Sequence, residues 1–194
     1  TCSPYITNNF LYLLNATKSR KLYEILNTNC EEPTGKVRWN QIFNICDAEW
    51  EQIFSLPFRL TKNTKLQWFQ FRINHKILST NSFLQKIKLK DTNICTFCRN
   101  ETETIEHILW DCEIVQALLD EFVTFCCNKI HWHISFAKKA FILGSCVKKD
   151  TVKNLITLQI KYYIYSMRCS NNSIHLNGLI SSIKSLYKTS KHIA

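Results

Sequence analysis

Three cysteines and one histidine occur at a spacing that suits a single metal ion. Cys95 and Cys98 are separated by two residues. His107 follows after eight further residues, and Cys112 after another four. Structural zinc takes four sulfur or nitrogen ligands in a tetrahedron, and a Cys-x2-Cys turn supplies two of them from one short loop. The sequence therefore predicts one structural zinc ion, bound by these four residues in a CCHC knuckle over residues 95–112.

The second half of this motif has the composition of a helix. His107 and Cys112 stand five residues apart, a little more than one helical turn, so one face can present both. Four protein ligands leave no open position on the metal, which favours a structural role over metal-assisted hydrolysis. The alternative is a chance cluster of reduced cysteines with a core histidine. Glu101, Glu103 and Glu106 are not needed as ligands, but they can offset positive charge or orient His107.

Glycine and proline are scarce outside this motif, with three of each in 194 residues, and 45% of the chain is hydrophobic. Long segments have helical periodicity instead. We therefore expect an all-α fold, an irregular multi-helix domain with one small CCHC zinc knuckle. The break at residues 31–35 suggests a division into an amino-terminal helical segment (1–32), a helical region with the knuckle (33–128) and carboxy-terminal helices (129–194).

The expected helices follow from apolar periodicity and from turn residues. They cover about 8–28, 37–45, 48–55, 64–79, 81–89, 113–127, 134–146, 151–168 and 173–191, and Pro57 is expected to end the third. No run of eighteen apolar residues and no signal peptide occur, so neither membrane insertion nor secretion is indicated. Outside the knuckle most cysteines are scattered singly, which is typical of a reducing compartment, nuclear or cytoplasmic.

The net charge of +10 is unevenly distributed along the chain. Residues 59–99 hold nine basic and one acidic side chain, and residues 122–194 hold eleven and one. The intervening residues 100–121 hold seven acidic side chains and no basic one. Basic blocks of this density suit a polyanion such as RNA or DNA. A solvated, lysine-rich surface is the alternative.

The predicted helix 64–79 carries an apolar face (Leu66, Phe69, Ile73 and Ile77) and a second, basic face with aromatic residues between the charges. That composition is used to bind single strands through phosphate contacts and base stacking. Together with the lysines that follow, the candidate nucleic-acid-binding residues are Lys65, Trp68, Arg72, His75, Lys76, Lys86, Lys88 and Lys90. Two alternatives stay open: Trp68 as a core or interface anchor, and plain solvation of the charges.

Several segments resemble a known family. Residues 66–81 (LQWFQFRINHKILSTN), 94–98 (ICTFC) and 103–112 (ETIEHILWDC) are similar to the zinc-binding region of LINE-type (non-LTR) retrotransposon reverse transcriptases. The flanks agree at residues 50–58 and 161–165. The resemblance implies a region carboxy-terminal to the polymerase core, with the same four zinc ligands. It also implies a role in holding template RNA, target DNA or both near that core during target-primed reverse transcription.

The catalytic motifs of such elements are missing from this chain. No Asp-Asp pair occurs, whereas the polymerase motif holds magnesium on two adjacent aspartates. No carboxylate and histidine set resembles the endonuclease domain, so we expect no enzymatic activity from the chain itself. The first residue is Thr and Met167 is the single methionine, which indicates a piece of a longer polypeptide.

Two further functions compete with nucleic-acid binding. In the first, the chain is a structural or protein-interaction module that docks on the polymerase core, with Trp68 and residues 162–165 in the contact and no nucleic-acid contact of its own. In the second, the chain is a hydrolase that uses its histidines, but no nucleophile and base stand at a recognisable spacing.

A second zinc site at Cys126, Cys127, His131 and His133 is also disfavoured, because adjacent cysteines cannot easily face one metal.

Overall fold

A computed structural model describes residues 32–191 of the chain. The described residues from 34 onward belong to one compact unit. The helix expected over residues 8–28 lies outside the described residues. The division proposed at residue 128 stays a prediction.

Helices make up the regular structure of residues 32–191, apart from one isolated bridge between Ile94 and Thr102. The expected all-α fold is confirmed. Its elements are α1 (Thr34–Asn40), α2 (Asp47–Leu60), α3 (Thr64–Asn74), α4 (Asn81–Lys86), a π-helical turn (His107–Asp111), α5 (Glu113–Ile130), α6 (Lys138–Leu143), a 3-10 turn (Lys148–Asp150), α7 (Thr151–Cys169) and α8 (Leu176–Lys191). No helix within the described range is long and apolar enough to cross a membrane.

Helix α7 lies at the centre of the packing and contacts α2, α3, α8 and the π-helical turn. Its residues Leu158, Ile160 and Ile164 are buried. From the π-helical turn, Ile108 and Leu109 are fully buried in the same hydrophobic core. The segment that carries two of the predicted zinc ligands is therefore part of the core.

Helix α2 continues through Pro57 to Leu60, so the expectation that Pro57 ends this helix is wrong. A proline inside a helix lacks the N–H that would bond the carbonyl four residues earlier, here that of Ile53. The side-chain amide of Asn74 donates to that carbonyl at 3.3 Å instead. The neighbouring helix α3 thus satisfies the backbone group that Pro57 leaves unpaired, which periodicity within α2 cannot reveal.

Helix α3 ends at Asn74, five residues before the predicted end. Lys76 adopts the left-handed conformation, with φ 53°, and the amides of Lys76 and Ile77 bond back to the carbonyls of Ile73 and Arg72. This is a Schellman termination, in which glycine usually occupies the left-handed position. The predicted apolar face is buried at Leu66, Phe69 and Ile73 but fails at Ile77. That residue lies beyond the helix and is 45% exposed.

The turn that ends α3 comes so close to α1 that residue 35 has to be glycine. A Cβ at Gly35 would lie 2.6 Å from the carbonyl oxygen of Asn74 and from the Cα of His75. Only glycine lets the two backbones come so close. The turn after α3 is thereby held against α1.

The other predicted helices are present with shifted ends. Helix α4 stops at Lys86 rather than 89, α5 extends to Ile130, and α6 is shorter than the predicted 134–146. Helices α7 and α8 lie within three residues of their predicted bounds at both ends.

Candidate metal centre and nucleic-acid interface

The four predicted zinc ligands lie together in the structure. Their ligand atoms are all within 4.8 Å of one another. The sulfurs of Cys95 and Cys112 are 4.0 Å apart, and the Cys98 sulfur lies 3.4 Å from Nε2 of His107. Donors at zinc–ligand distances of about 2.3 Å for sulfur and 2.0 Å for nitrogen lie roughly 3.5–3.8 Å apart in a tetrahedron. The arrangement therefore fits one zinc ion with four protein ligands.

A short looped segment presents the first two cysteines. The bridge between Ile94 and Thr102 closes the loop, and the amide of Cys95 donates to the carbonyl of Glu101 at 2.8 Å. The amide of Arg99 donates back to Cys95 at 3.1 Å, with Arg99 in the left-handed conformation at φ 56°. These bonds fold the Cys-x2-Cys turn so that both thiols face the same point.

A π-helical turn presents the other two ligands. Five residues cover about 1.4 turns of an ordinary α-helix, further than the single turn that the sequence prediction assumed, and would direct His107 and Cys112 to different sides. Here the amide of Cys112 donates to the carbonyl of His107 at 2.8 Å, an i to i+5 bond that widens the helix. Such π-helical turns are frequent at functional sites. The wider turn brings both side chains to the same face, a detail beyond the sequence prediction.

Of the two buried cysteines, Cys112 is the one whose surroundings favour the thiolate. A hydrogen bond from the Cys95 thiol, together with the backbone N–H groups of Val115 and Ile114, lowers the pKa of the Cys112 thiol to about 5, against the opposing effect of burial. The same hydrogen bond and burial raise the pKa of the Cys95 thiol. Since zinc binds the thiolate, a thiolate stabilised at the start of α5 suits the metal.

Glu103 organises the surroundings of the knuckle, although sequence reasoning gave it no definite partner. Its carboxylate is fully buried. It accepts hydrogen bonds from the amides of Asn81 and Thr96 at 2.8 and 2.9 Å, and from the Thr96 hydroxyl at 2.8 Å. The Arg168 guanidinium of α7 donates to it at 2.7 and 2.9 Å. One carboxylate thus ties the knuckle to the start of α4 and to the end of α7.

Three of the predicted nucleic-acid-binding residues line one groove between α3 and α7. Lys65, Trp68 and Arg72 form its α3 wall, and Tyr162 and Tyr165 form its α7 wall. The cavity has a volume of about 680 Å³ and is also lined by Thr64, Phe69, Ser166 and Cys169. We call it the aromatic groove. Trp68 is 58% exposed, so it is not a core anchor.

The remaining two candidates on this segment lie elsewhere. His75 packs between the rings of Phe54 and Phe71, with ring centroids 5.3 and 4.1 Å away, and burial lowers its pKa. The Lys76 ammonium forms an ion pair with Glu106 and lies 4.1 Å from the centroid of the Trp39 ring. Its side chain is 14% exposed. The early end of α3 turns both residues away from the groove into internal contacts.

The three lysines after the groove segment are exposed. Lys86 ends α4, and Lys88 and Lys90 follow in the loop that leads to the knuckle. The Lys90 ammonium donates to the side-chain oxygen of Asn81 at 2.8 Å. Asn81 also receives a hydrogen bond from Arg168 at 2.5 Å, which connects Lys90 to the groove wall, and the groove lining includes none of the three lysines.

The second cysteine and histidine cluster does not assemble a comparable site. Among the described residues, the four ligands of the knuckle are the one group of at least three potential metal ligands within reach of each other. Cys126 is buried in the core of α5. Cys127 approaches His133, with 3.5 Å between sulfur and Nδ1, at an exposed position.

Comparison with known proteins identifies the family of this centre. The model for the zinc-binding domain in reverse transcriptases matches residues 18–118, which is more than half of the chain and includes all four candidate ligands. The chain belongs to this family. No curated protein and no solved structure gave a significant match. As a reverse-transcriptase zinc-binding domain, the chain represents an accessory domain and not the catalytic core.

Proposed function

We propose that this zinc-binding domain is a nucleic-acid-binding accessory region of a LINE-type (non-LTR) retrotransposon polyprotein, carboxy-terminal to its polymerase core. Its partners would be RNA, DNA or both, and the polymerase core of the same polyprotein. The observation that carries the proposal is the aromatic groove, in which exposed basic and aromatic side chains of α3 face tyrosines of α7. A reducing compartment, the nucleus or the cytoplasm, suits the free cysteines.

The groove has the chemistry that a single strand requires. Lys65 and Arg72 are exposed on α3 and can contact phosphates, and Trp68 between them offers a ring face to a base. Base–aromatic stacking contributes about 1–3 kcal/mol per base and tolerates any sequence, because every base has a π-face. We therefore expect binding with little sequence preference and strong dependence on salt.

Zinc in this proposal has a structural role. When bound, it would neutralise the cysteine thiolates and fix the loop of residues 95–112 against the π-helical turn. Glu103 within that loop holds Arg168 of α7, whose guanidinium lies 5.8 Å from the centroid of the Tyr165 ring. The knuckle thereby supports one wall of the groove and needs no direct contact with the strand.

Charge reversal in the groove tests the proposal. Binding of a labelled RNA or single-stranded DNA is measured by fluorescence anisotropy at several salt concentrations. Lys65→Glu and Arg72→Glu should each weaken binding and lower the slope of log K against log salt by roughly 0.7 for the lost phosphate contact. Trp68→Ala should weaken binding roughly tenfold. Lys129→Glu, at an exposed position of α5, is the matched control and should have a much smaller effect.

Unchanged affinity in all three groove variants would contradict the proposal. If the wild-type chain binds neither RNA nor single-stranded DNA but is retained by the polymerase core, the docking role is supported instead. The position in the polyprotein is tested separately, because the sequence that precedes residue 1 should then carry the polymerase Asp-Asp motif.

A further inference from the structure

We propose that residues 86–90 form an apolar wedge that contacts the end of a nucleic-acid duplex, next to the single strand in the aromatic groove. The domain would thus bind a junction between single-stranded and double-stranded nucleic acid in preference to either alone. This inference rests on the proposed function and adds the structural class of the nucleic acid. We call residues 86–90 the wedge loop.

The wedge loop presents aliphatic side chains to solvent. Leu89 is 74% exposed and Ile87 is 47% exposed. The amides of Lys88 and Leu89 bond back to the carbonyls of Gln85 and Leu84 at 2.9 Å each, and Lys88 is left-handed at φ 59°. This is a Schellman termination, in which the apolar residue at the position of Leu89 usually packs against the last turn of the helix. Here it points outward instead.

The loop is held in this shape by further hydrogen bonds. The side-chain amide of Gln85 donates to the carbonyl of Asp91 at 3.0 Å, beyond the loop tip. Lys90 donates to Asn81 at the start of α4. An apolar tip that is already ordered loses little conformational freedom on binding. Such tips, when inserted at a base step, unstack it and widen or kink the duplex.

The positive charge around the tip of the wedge loop favours binding of a polyanion. Lys86, Lys88 and Lys90 alternate with the two aliphatic residues and are all exposed. Within residues 32–191 none of the three forms an ion pair with a carboxylate, and Asp91 is the one acidic neighbour in sequence. Phosphates on both sides of a base step would complement this alternation.

The wedge loop and the aromatic groove are neighbours. Asn81 accepts hydrogen bonds from Lys90 of the loop and from Arg168, the side chain that lies over Tyr165 of the groove. These contacts connect the Tyr165 end of the groove to the loop through Arg168, Asn81 and Lys90. Aromatic rings in the groove suit unpaired bases, and the aliphatic tip suits the last base pair of a duplex.

Four labelled probes test the junction preference: a single strand, a blunt duplex, and two tailed duplexes that carry a single-stranded tail on one strand or on the other. The wild-type chain should bind one tailed duplex roughly tenfold more tightly than the single strand or the blunt duplex. With 2-aminopurine in the last base pair, fluorescence should rise on binding as the base unstacks. The double variant Ile87→Ser/Leu89→Ser should lose both effects and keep its affinity for the single strand.

The control variant is Ile130→Ser, which removes another half-exposed isoleucine, at the end of α5, and should change neither effect. If the single strand binds but no tailed duplex binds more tightly than it does, this inference is overturned and the proposed function stands. If the single strand does not bind, the proposed function fails and the inference fails with it. Loss of the preference in the Ile130 control would also overturn the specific role of the wedge loop.

Discussion

The guanidinium of Arg168 lies 2.7 Å from the carboxylate of Glu103, and both side chains are almost fully buried. Sixty-five residues separate the two in sequence. Glu103 stands between the candidate ligands Cys98 and His107, whereas Arg168 is the last residue but one of helix α7. A buried ion pair stabilises a protein only when further hydrogen bonds satisfy the charges, and the partners of Glu103 include the Asn81 and Thr96 amides. The pair therefore joins the metal centre to the wall of the groove.

Removing one charge of this pair should be costly. Glu103→Gln leaves the Arg168 guanidinium buried without its counter-charge, and should lower the free energy of unfolding by roughly 3–5 kcal/mol. Adding Arg168→Met should recover part of that loss, because no unpaired charge then remains. Urea unfolding of the two single variants and the double variant measures the interaction energy.

The exposed ion pair of Lys138 with Asp111 provides the control, since its side chains are 34% and 44% exposed. Asp111→Asn should cost less than about 1 kcal/mol. Equal costs for Glu103→Gln and Asp111→Asn would show that the buried pair does not join the two regions.

The grouping of the four candidate ligands was predictable from sequence because metal ligands impose a spacing that few other constraints produce. Most helices were predictable because apolar residues recur with the helical period. The predictions that were wrong depend on contacts between distant residues. The Asn74 side chain bonds the carbonyl that Pro57 leaves unpaired, so α2 continues beyond Pro57, and Gly35 packs against the turn that ends α3 early. The same turn moved Lys76 from the basic stripe into an ion pair with Glu106.

Glu103 shows most clearly what the sequence could not predict. Its partner Arg168 lies on another helix, and nothing in the local pattern distinguishes this acidic residue from Glu101 or Glu106. Only the α3 wall of the aromatic groove could be predicted from the sequence, for a related reason. Periodicity placed Lys65, Trp68 and Arg72 on one face, but only the packing of α3 against α7 brings Tyr162 and Tyr165 opposite them.

Two lysines in the left-handed conformation should respond differently to glycine. Lys88 is exposed, so Lys88→Gly relieves backbone strain and should raise the free energy of unfolding by up to about 1 kcal/mol. Lys76→Gly relieves the same strain but removes the buried ion pair with Glu106 and the contact with Trp39. We expect it to lower the free energy of unfolding by more than about 2 kcal/mol. Urea unfolding of both variants checks the contrast, and changes of the same sign would contradict it.

Lys161 gives the stability a dependence on pH. Its ammonium is buried between the side-chain oxygen of Gln70, at 2.5 Å, and the carbonyl of Ile142, at 2.7 Å. Burial lowers its pKa from 10.5 to about 7. Between these values the unfolded chain binds a proton that the folded protein does not, so the free energy of unfolding should rise as pH increases from about 7 towards 10.

The variant Lys161→Met should lose this contribution, because methionine has no proton to bind. Urea unfolding over that pH range should give a flatter profile for Lys161→Met than for the wild type, by at most about 1.4 kcal/mol per pH unit. The other ionisable groups are the same in both proteins, so their contributions cancel in the difference. Lys129→Met, at an exposed position, should keep the wild-type profile. Parallel profiles for all three proteins would contradict the buried, lowered pKa.

Metal removal should unfold the knuckle together with part of the core. Ile108 and Leu109 lie between the ligands His107 and Cys112 and are fully buried, so a loosened π-helical turn exposes core surface. The purified chain should contain one zinc per molecule, and a chelator should lower its melting temperature and its helix content. Cys98→Ser should reproduce both effects with zinc present, whereas Cys127→Ser should not, because Cys127 is outside the ligand group. Stoichiometric zinc retained by a Cys98→Ser/Cys112→Ser double variant would refute the site.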